Sequence, residues 1–148
     1  MTMEEKKLTY NDAPYGFALC FNEECAKRGE CMHHLMAQLA PTDRLTGPAV
    51  YPRAWQDGTC RVFCEKKLVK KAWGFTHIYR NVPRYLVAEA RRRVHAYLGG
   101  GQSTYYRIHH GENMLSPKQQ EDIMKILAEL GSTEGLAFDH YVTVFNFD

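Results

Sequence analysis

The first helical pattern in the chain covers Glu30–Ala40. Its apolar positions are spaced i, i+3, i+4 and i+7, which places them on one face of an α-helix. These positions are Met32, Leu35, Met36 and Leu39. Pro41 follows directly and is poorly tolerated inside a helix, so we predict an amphipathic helix that ends there.

Two further helices are predicted in the second half of the chain. One spans residues 82–98, carries Pro83 in its first turn, and is followed by three glycines at 99–101 that would cap it. The other opens with Ser-Pro-Lys-Gln at 116–119, a capping box with proline at the first helical position, and runs to Leu130. Both helices have apolar residues at helical spacing and would pack on a core.

The remaining patterns predict one more helix and three strands. Cys60–Trp73 is interpreted as a helix with Thr59 as its N-cap. The segments Phe75–Tyr79, Ser103–His109 and Tyr141–Phe147 are rich in β-forming residues and are predicted to be strands. The expected fold is therefore α+β, in which a cysteine knuckle and helices precede a β-α-β-α-β-like half with a small sheet.

Length and composition indicate one domain over residues 1–148, with a cysteine-rich part at 20–64 and an α/β part at 72–148. The chain is 45% hydrophobic and 24% charged, which is typical of a globular protein rather than a disordered one. Residues 1–19 are expected to be irregular and carry no signal-peptide pattern. No apolar run approaches the length of a membrane span, so we expect a cytoplasmic protein whose thiols are reduced.

The charge is unevenly distributed. The segment Arg53–Arg93 has eleven basic and three acidic residues, a net charge of +8, whereas the rest of the chain has eight basic and fourteen acidic residues, a net charge of −6. This segment is either a set of solvated surfaces paired with the acidic flanks or a patch for nucleic acid or a protein partner. We favour the first interpretation, because the isoelectric point near 8.3 is low for a nucleic-acid-binding domain. A patch would consist of Lys66, Lys67, Lys70, Lys71, Arg91, Arg92 and Arg93.

The densest chemical signal is a group of three cysteines, Cys20, Cys25 and Cys31, within twelve residues. Thiolates this close together suit a zinc or iron-sulfur centre, and short loops keep the entropy cost of closing the site low. Cys60 or Cys64 would supply the fourth ligand, and in a helix their spacing of four would put both on one face. His34 competes for the same role, because it follows Cys31 by three residues.

Several alternatives remain open. The five cysteines could be free buried residues, although acidic and basic residues surround Cys25 and Cys31. The cluster could serve a redox protein, or an enzyme pocket could use His109, His110 or His140. We favour a non-enzymatic binding or adaptor domain stabilised by structural zinc, with an iron-sulfur cluster as the alternative cofactor.

Short elements spread along the chain carry a resemblance to a known family. They are Cys-Phe-Asn-Glu-Glu-Cys at 20–25 with Cys31, Ala72-Trp73-Gly74-Phe75, Tyr105-Tyr106-Arg107, Gly111-Glu112, Leu115-Ser116-Pro117, Gln120 and Phe138-Asp139. In these residues the chain resembles an uncharacterised family of small proteins from gut Bacteroidales, a domain of unknown function. The resemblance covers nearly the whole chain and implies no activity. It implies a bacterial, intracellular protein of a single domain.

Overall fold

The computed structural model describes residues 6–148, and the chain divides into two compact units. The first unit comprises the chain up to Leu68 together with Phe145–Asp148. The second unit comprises Val69–Val144. Each unit contains its own cluster of buried apolar residues. The first five residues of the N-terminal segment that was expected to be irregular lie outside the described residues.

The described residues form helices and short strands, which confirms the α+β class. The strands form two sheets of two strands each, β1 with β2 and β3 with β4. Single 3-10 turns occur at Tyr10–Asp12, Arg28–Glu30, Pro52–Ala54 and Arg84–Leu86. The main elements in chain order are α1 (Met32–Leu39), β1 (Trp55–Gln56), β2 (Thr59–Cys60), β3 (Leu68–Trp73), α2 (Val87–Leu98), α3 (Gly101–His109), α4 (Pro117–Ala128) and β4 (His140–Phe145).

Helix α1 confirms the first helical pattern, with one change in the face that is buried. Met32 and Met36 are fully buried in the core of the first unit, as their spacing predicts. Leu39, at the end of the helix, is 43% exposed, whereas His34 is buried. At about 100° per residue, His34 lies on the side of α1 opposite Met32 and Met36, so the helix is buried on two sides rather than on the single apolar face that the spacing predicts.

The three helices of the second unit bury paired positions around one core. The pairs are Ala90 and Val94 in α2, Tyr105 and Ile108 in α3, and Ile123 and Leu127 in α4. The capping box at the start of α4 is confirmed. The Ser116 Oγ accepts a hydrogen bond from the Gln119 backbone N at 3.2 Å, and the Gln119 Oε1 accepts one from the Ser116 N at 2.9 Å.

The predicted helix over Cys60–Trp73 is wrong. Asp57 and Gly58 both have positive φ, +54° and +77°, and they connect β1 to β2 as a tight hairpin. Asp-Gly favours this type of turn, because both central residues of a type I′ turn need positive φ. Residues 61–67 then continue without a helix or named strand, and β3 follows. Thr59 pairs with Gln56 in the hairpin and caps no helix.

The predicted strands at Ser103–His109 and Phe75–Tyr79 are also wrong. The first is helix α3, in which Tyr105 and Ile108 are buried three residues apart, a helical rather than an alternating pattern. Packing in the core thus overrides the β-propensity of the tyrosines and the isoleucine. The second is irregular chain with three buried residues, Phe75, Ile78 and Tyr79. The terminal strand prediction is confirmed by β4.

Within residues 6–148, every helix is too short or too polar to cross a membrane.

Gly74 should be a strong determinant of stability in the second unit. It has φ +90°, and a Cβ there would lie 2.6 Å from the Cβ and Oδ2 atoms of Asp139. We expect Gly74→Ala to lower the free energy of unfolding by about 3 kcal/mol, from backbone strain and steric overlap together. The matched control is Gly101→Ala, which has φ +74° but open space around the new methyl group and should cost about 1 kcal/mol. Urea unfolding followed by helical circular dichroism measures both, and equal losses would contradict the role of the Asp139 contact.

Candidate metal centre

A cavity of about 460 Å³ in the first unit collects most of the cysteines of the chain. Its lining also includes aromatic side chains, among them Phe21, Tyr51 and Trp55. Phe21 and Tyr51 are each 64% exposed. The cavity thus combines thiols and imidazoles with apolar walls. Its thiol and imidazole residues are Cys20, Cys25, Cys31, Cys60, His33 and His34.

Backbone hydrogen bonds hold Cys20 between two parts of the first unit. The residue before it, Leu19, forms a parallel bridge with Ala49, in which the Val50 N donates to the Leu19 carbonyl at 2.9 Å. The Cys20 N donates to the carbonyl of His33 in α1 at 3.0 Å. Cys20 is therefore positioned beside the helix that carries both histidines.

Cys31 occupies the N-cap position of α1 and forms an antiparallel bridge with Glu65. Two short hydrogen bonds flank this bridge. The Met32 N donates to the Cys64 carbonyl at 2.7 Å, and the Lys66 N donates to the Glu30 carbonyl, also at 2.7 Å. The start of α1 is thereby fixed against the chain that follows the hairpin.

Cys25 and Cys60 come from a turn and from the hairpin. The Cys25 N donates to the Asn22 carbonyl at 3.4 Å, and the Cys25 carbonyl accepts from the Arg28 Nη1 at 3.0 Å. Cys60 lies opposite Trp55 across the β1–β2 pair, and Trp55 lines the cavity as well. A bridged segment, a turn, the start of α1 and the hairpin thus bring four cysteines to one cavity. The cysteine spacing alone predicts this grouping only for Cys20, Cys25 and Cys31.

The thiols at this cavity influence one another. Burial raises the pKa of the Cys20 thiol above its ordinary value, and a backbone hydrogen bond involving Asn22 opposes this shift. Negative charge on Cys31, Cys60 or Cys25 would raise the pKa of Cys20 further. Thiolates close together repel one another. The group is therefore stabilised either when the thiols stay protonated or when a cation binds.

Cys64 has different surroundings. Its Sγ lies 3.6 Å from the Asn146 carbonyl oxygen and 3.5 Å from the Asp148 carbonyl oxygen, and it donates to them. Burial raises the pKa of this thiol to about 11, and negative charge on Cys31 would contribute to the rise. Cys64 packs in the apolar core of the first unit and does not line the cavity.

His34 carries an unusual nitrogen. The side chain is buried, and its Nε2 lies 3.3 Å from the Glu23 Oε1, which can only accept, so Nε2 carries the proton. Its Nδ1 is buried and has no hydrogen-bond partner. Among the side chains of residues 6–148, the Asp139 Oδ1 is the other buried polar atom in this situation. The neighbouring His33 differs, because its Nδ1 donates to the Ala18 carbonyl at 2.7 Å and its ring stacks on Phe17.

These side chains do not form a preassembled ligand set. In the part of the chain that the structure describes, no three Cys, His, Asp or Glu side chains stand close enough together to hold a metal ion. Any metal bound at this cavity would therefore require the thiol groups to turn towards a common point. The position of a cysteine sulfur is set by rotation about a single side-chain bond, χ1.

The three histidines considered for an enzyme pocket are in the second unit and take part in packing. The His109 Nδ1 accepts a hydrogen bond from the Phe75 N at 3.1 Å, which leaves the proton of the neutral ring on Nε2. The His110 ring lies 5.1 Å from the His109 ring, and the His140 ring stacks on Trp73 at 4.0 Å. None of these histidines lines the thiol cavity.

Several residues of the basic segment are bound to acids. Arg92 and Arg93 both contact Glu89, at 2.6 and 3.1 Å, and they lower the pKa of its carboxyl group to about 2. Arg93 also contacts Glu129 at 2.8 Å, and Lys67 lies 3.8 Å from the Glu65 carboxylate. Of these acids only Glu129 lies in the acidic flanks, since Glu65 and Glu89 belong to the basic segment itself. Binding of nucleic acid or protein through this segment stays a prediction.

The fold and the cavity define a small α+β protein with a thiol-lined cavity in one of its two units. Residues 3–147 match the family model described as "Family of unknown function (DUF6078)". The chain therefore belongs to this family, which confirms the resemblance to a domain of unknown function. Neither the curated proteins nor the solved structures provide a match to the chain.

The contrast between Cys64 and the cavity cysteines can be measured directly. With a thiol pKa of about 11 and a buried sulfur, Cys64 should be alkylated by iodoacetamide more slowly than any other cysteine of the folded protein. Mass-spectrometric peptide mapping at pH 8 would rank the five thiols. The same measurement in denaturant should give nearly equal rates. Fast alkylation of Cys64 in the folded protein would contradict the described position of this side chain.

Proposed function

We propose that this protein is a non-enzymatic metal-binding domain that holds one structural zinc ion at the thiol-lined cavity. The observation that carries the proposal is the convergence of Cys20, Cys25, Cys31 and Cys60 on this one cavity. Cys20, Cys25 and Cys31 supply three thiolates, and the fourth position falls to Cys60 or His34.

The chemistry of the donors supports zinc. Thiolate sulfur and imidazole nitrogen are the ligands of structural zinc sites, which are four-coordinate and tetrahedral with Zn–S distances of about 2.3 Å. A doubly charged cation would also relieve the repulsion between thiolates that raises the pKa of Cys20. An iron-sulfur cluster uses the same thiolates, and metal analysis under anaerobic conditions distinguishes the two.

The structure of the first unit gives such an ion a role. Its named helix and strands are short: α1 has eight residues, and β1 and β2 have two each. A metal that joins the segments around residues 20, 25 and 31 would bind the folded unit rather than the unfolded chain, and its binding free energy would stabilise a unit with little regular structure. In this proposal the ion stabilises a binding or adaptor module and carries out no reaction.

Metal content tests the proposal. Protein purified without oxygen or chelator should contain about one zinc per chain, since one tetrahedral site accounts for the ligands. Cys25→Ser and Cys31→Ser should each lose most of the bound zinc. Cys64→Ala is the matched control, because Cys64 is a buried cysteine of the same unit outside the cavity, and it should retain the metal. Metal-free protein that zinc does not stabilise, or equal zinc loss in Cys64→Ala, would contradict the proposal.

Zinc removal should act on the first unit. After chelation, amide hydrogen exchange should speed up at α1 and in the segments around residues 20 and 25, because the bound ion would join them. The helices α2, α3 and α4 have a separate apolar core and should keep their protection. Uniform loss of protection in both units would show that the ion does not act locally.

A further inference from the structure

We infer that His34 is the fourth ligand of the proposed site, bound through Nδ1 and oriented by Glu23, with Cys60 outside the coordination sphere. This inference rests on the proposed function, and it fixes the site as Cys20, Cys25, Cys31 and His34. It also assigns to Glu23, a residue that sequence spacing does not single out, the role of orienting the His34 ring.

The buried Nδ1 of His34 is the first reason. The side chain is 2% exposed, and this nitrogen has no hydrogen-bond partner although it belongs to a residue that lines the thiol cavity. A buried polar atom without a partner costs free energy of about 1–3 kcal/mol. A metal ion bound to the lone pair of Nδ1 removes this cost.

The opposite side of the same ring is the second reason. The Nε2–H donates to the Glu23 carboxylate at 3.3 Å, which leaves Nδ1 unprotonated and available as a donor to a metal. Histidines that bind metals usually donate their other N–H to a carboxylate or a carbonyl in this way. Glu23 thus fixes both the tautomer and the orientation of the ring.

The comparison with Cys60 is the third reason. Cys31 is the N-cap of α1 and His34 lies three residues later in its first turn, so the start of one helix sets their separation. Cys60 is in a two-residue strand next to an exposed turn. Three thiolates and a neutral imidazole leave a zinc site with a net charge of −1, whereas four thiolates leave −2. The smaller charge is less costly to hold in a partly buried cavity.

Cobalt substitution counts the thiolates. In the Co(II) protein, the intensity of the sulfur-to-cobalt charge-transfer band increases with each bound thiolate. At Co(II) concentrations that saturate variants with weakened binding, Cys20→Ser, Cys25→Ser and Cys31→Ser should each lower the intensity per bound cobalt by about one third, as expected for three thiolates in a four-coordinate site. Cys60→Ser should leave it unchanged. An equal loss in Cys60→Ser would place Cys60 in the site and overturn the inference.

Glu23 is tested by a matched pair of variants. Glu23→Gln should weaken Co(II) and Zn(II) binding about 10-fold or more, the usual loss when a metal-binding histidine loses its hydrogen-bonded carboxylate. The number of bound thiolates should stay unchanged. Glu24→Gln removes the same charge from the adjacent exposed glutamate and should leave affinity unchanged. Equal effects of the two variants would mean that only the lost negative charge matters, and would overturn the assignment of Glu23.

Unmodified protein gives the decisive measurement, because substitution of the buried His34 could unfold the first unit. Cadmium-113 bound to chain labelled with nitrogen-15 in histidine should show a shift typical of three sulfurs and one nitrogen, with coupling to the Nδ1 of His34. A four-sulfur shift without nitrogen coupling would overturn the inference and leave the proposed function intact. A protein that binds neither cadmium, cobalt nor zinc would overturn both.

Discussion

The arrangement of the first unit depends on the backbone pairing between the start of α1 and the chain that follows the hairpin. The Met32 N and the Lys66 N each donate a hydrogen bond of 2.7 Å across this pairing, to the carbonyls of Cys64 and Glu30. Both ends of the pairing carry cysteines, Cys31 on one side and Cys64 on the other. The same pairing fixes the direction of α1 and therefore the positions of His33 and His34. Without it, the cavity would lose the helix that forms one of its sides.

The cysteine residues show how far sequence reasoning reaches. The grouping of Cys20, Cys25 and Cys31 follows from their separation along the chain, and the structure brings all three to one cavity. The choice between Cys60 and Cys64 does not follow, because a helix would have put both on one face. The hairpin instead directs Cys60 to the cavity, while Cys64 packs in the core. The Asp-Gly pair at 57–58 is the local signal that could have revealed the hairpin.

Other differences arise from tertiary packing and have no local signal. Tyr105 and Ile108 have high strand propensity, yet both are buried at helical spacing in α3. The burial of His34 has no signal in the residues next to it in sequence. Its contact with Glu23 joins residues that are eleven positions apart. By contrast, the capping box of Ser116 and Gln119 is local and could be predicted from four residues. Interactions within one helical turn can be predicted from the sequence, whereas contacts between helices and strands can be known only from the fold.

The two tryptophans of the chain fall in different units, which gives each unit an optical reporter. Trp55 lines the thiol cavity, so its fluorescence should respond to events at the cysteines. Trp73 stacks on His140 at 4.0 Å, and Gly111 lies close against its indole ring, where a Cβ would come within 3.0 Å. Its emission should therefore follow the packing of the second unit. Replacing one tryptophan at a time with phenylalanine would separate the two signals within a single molecule.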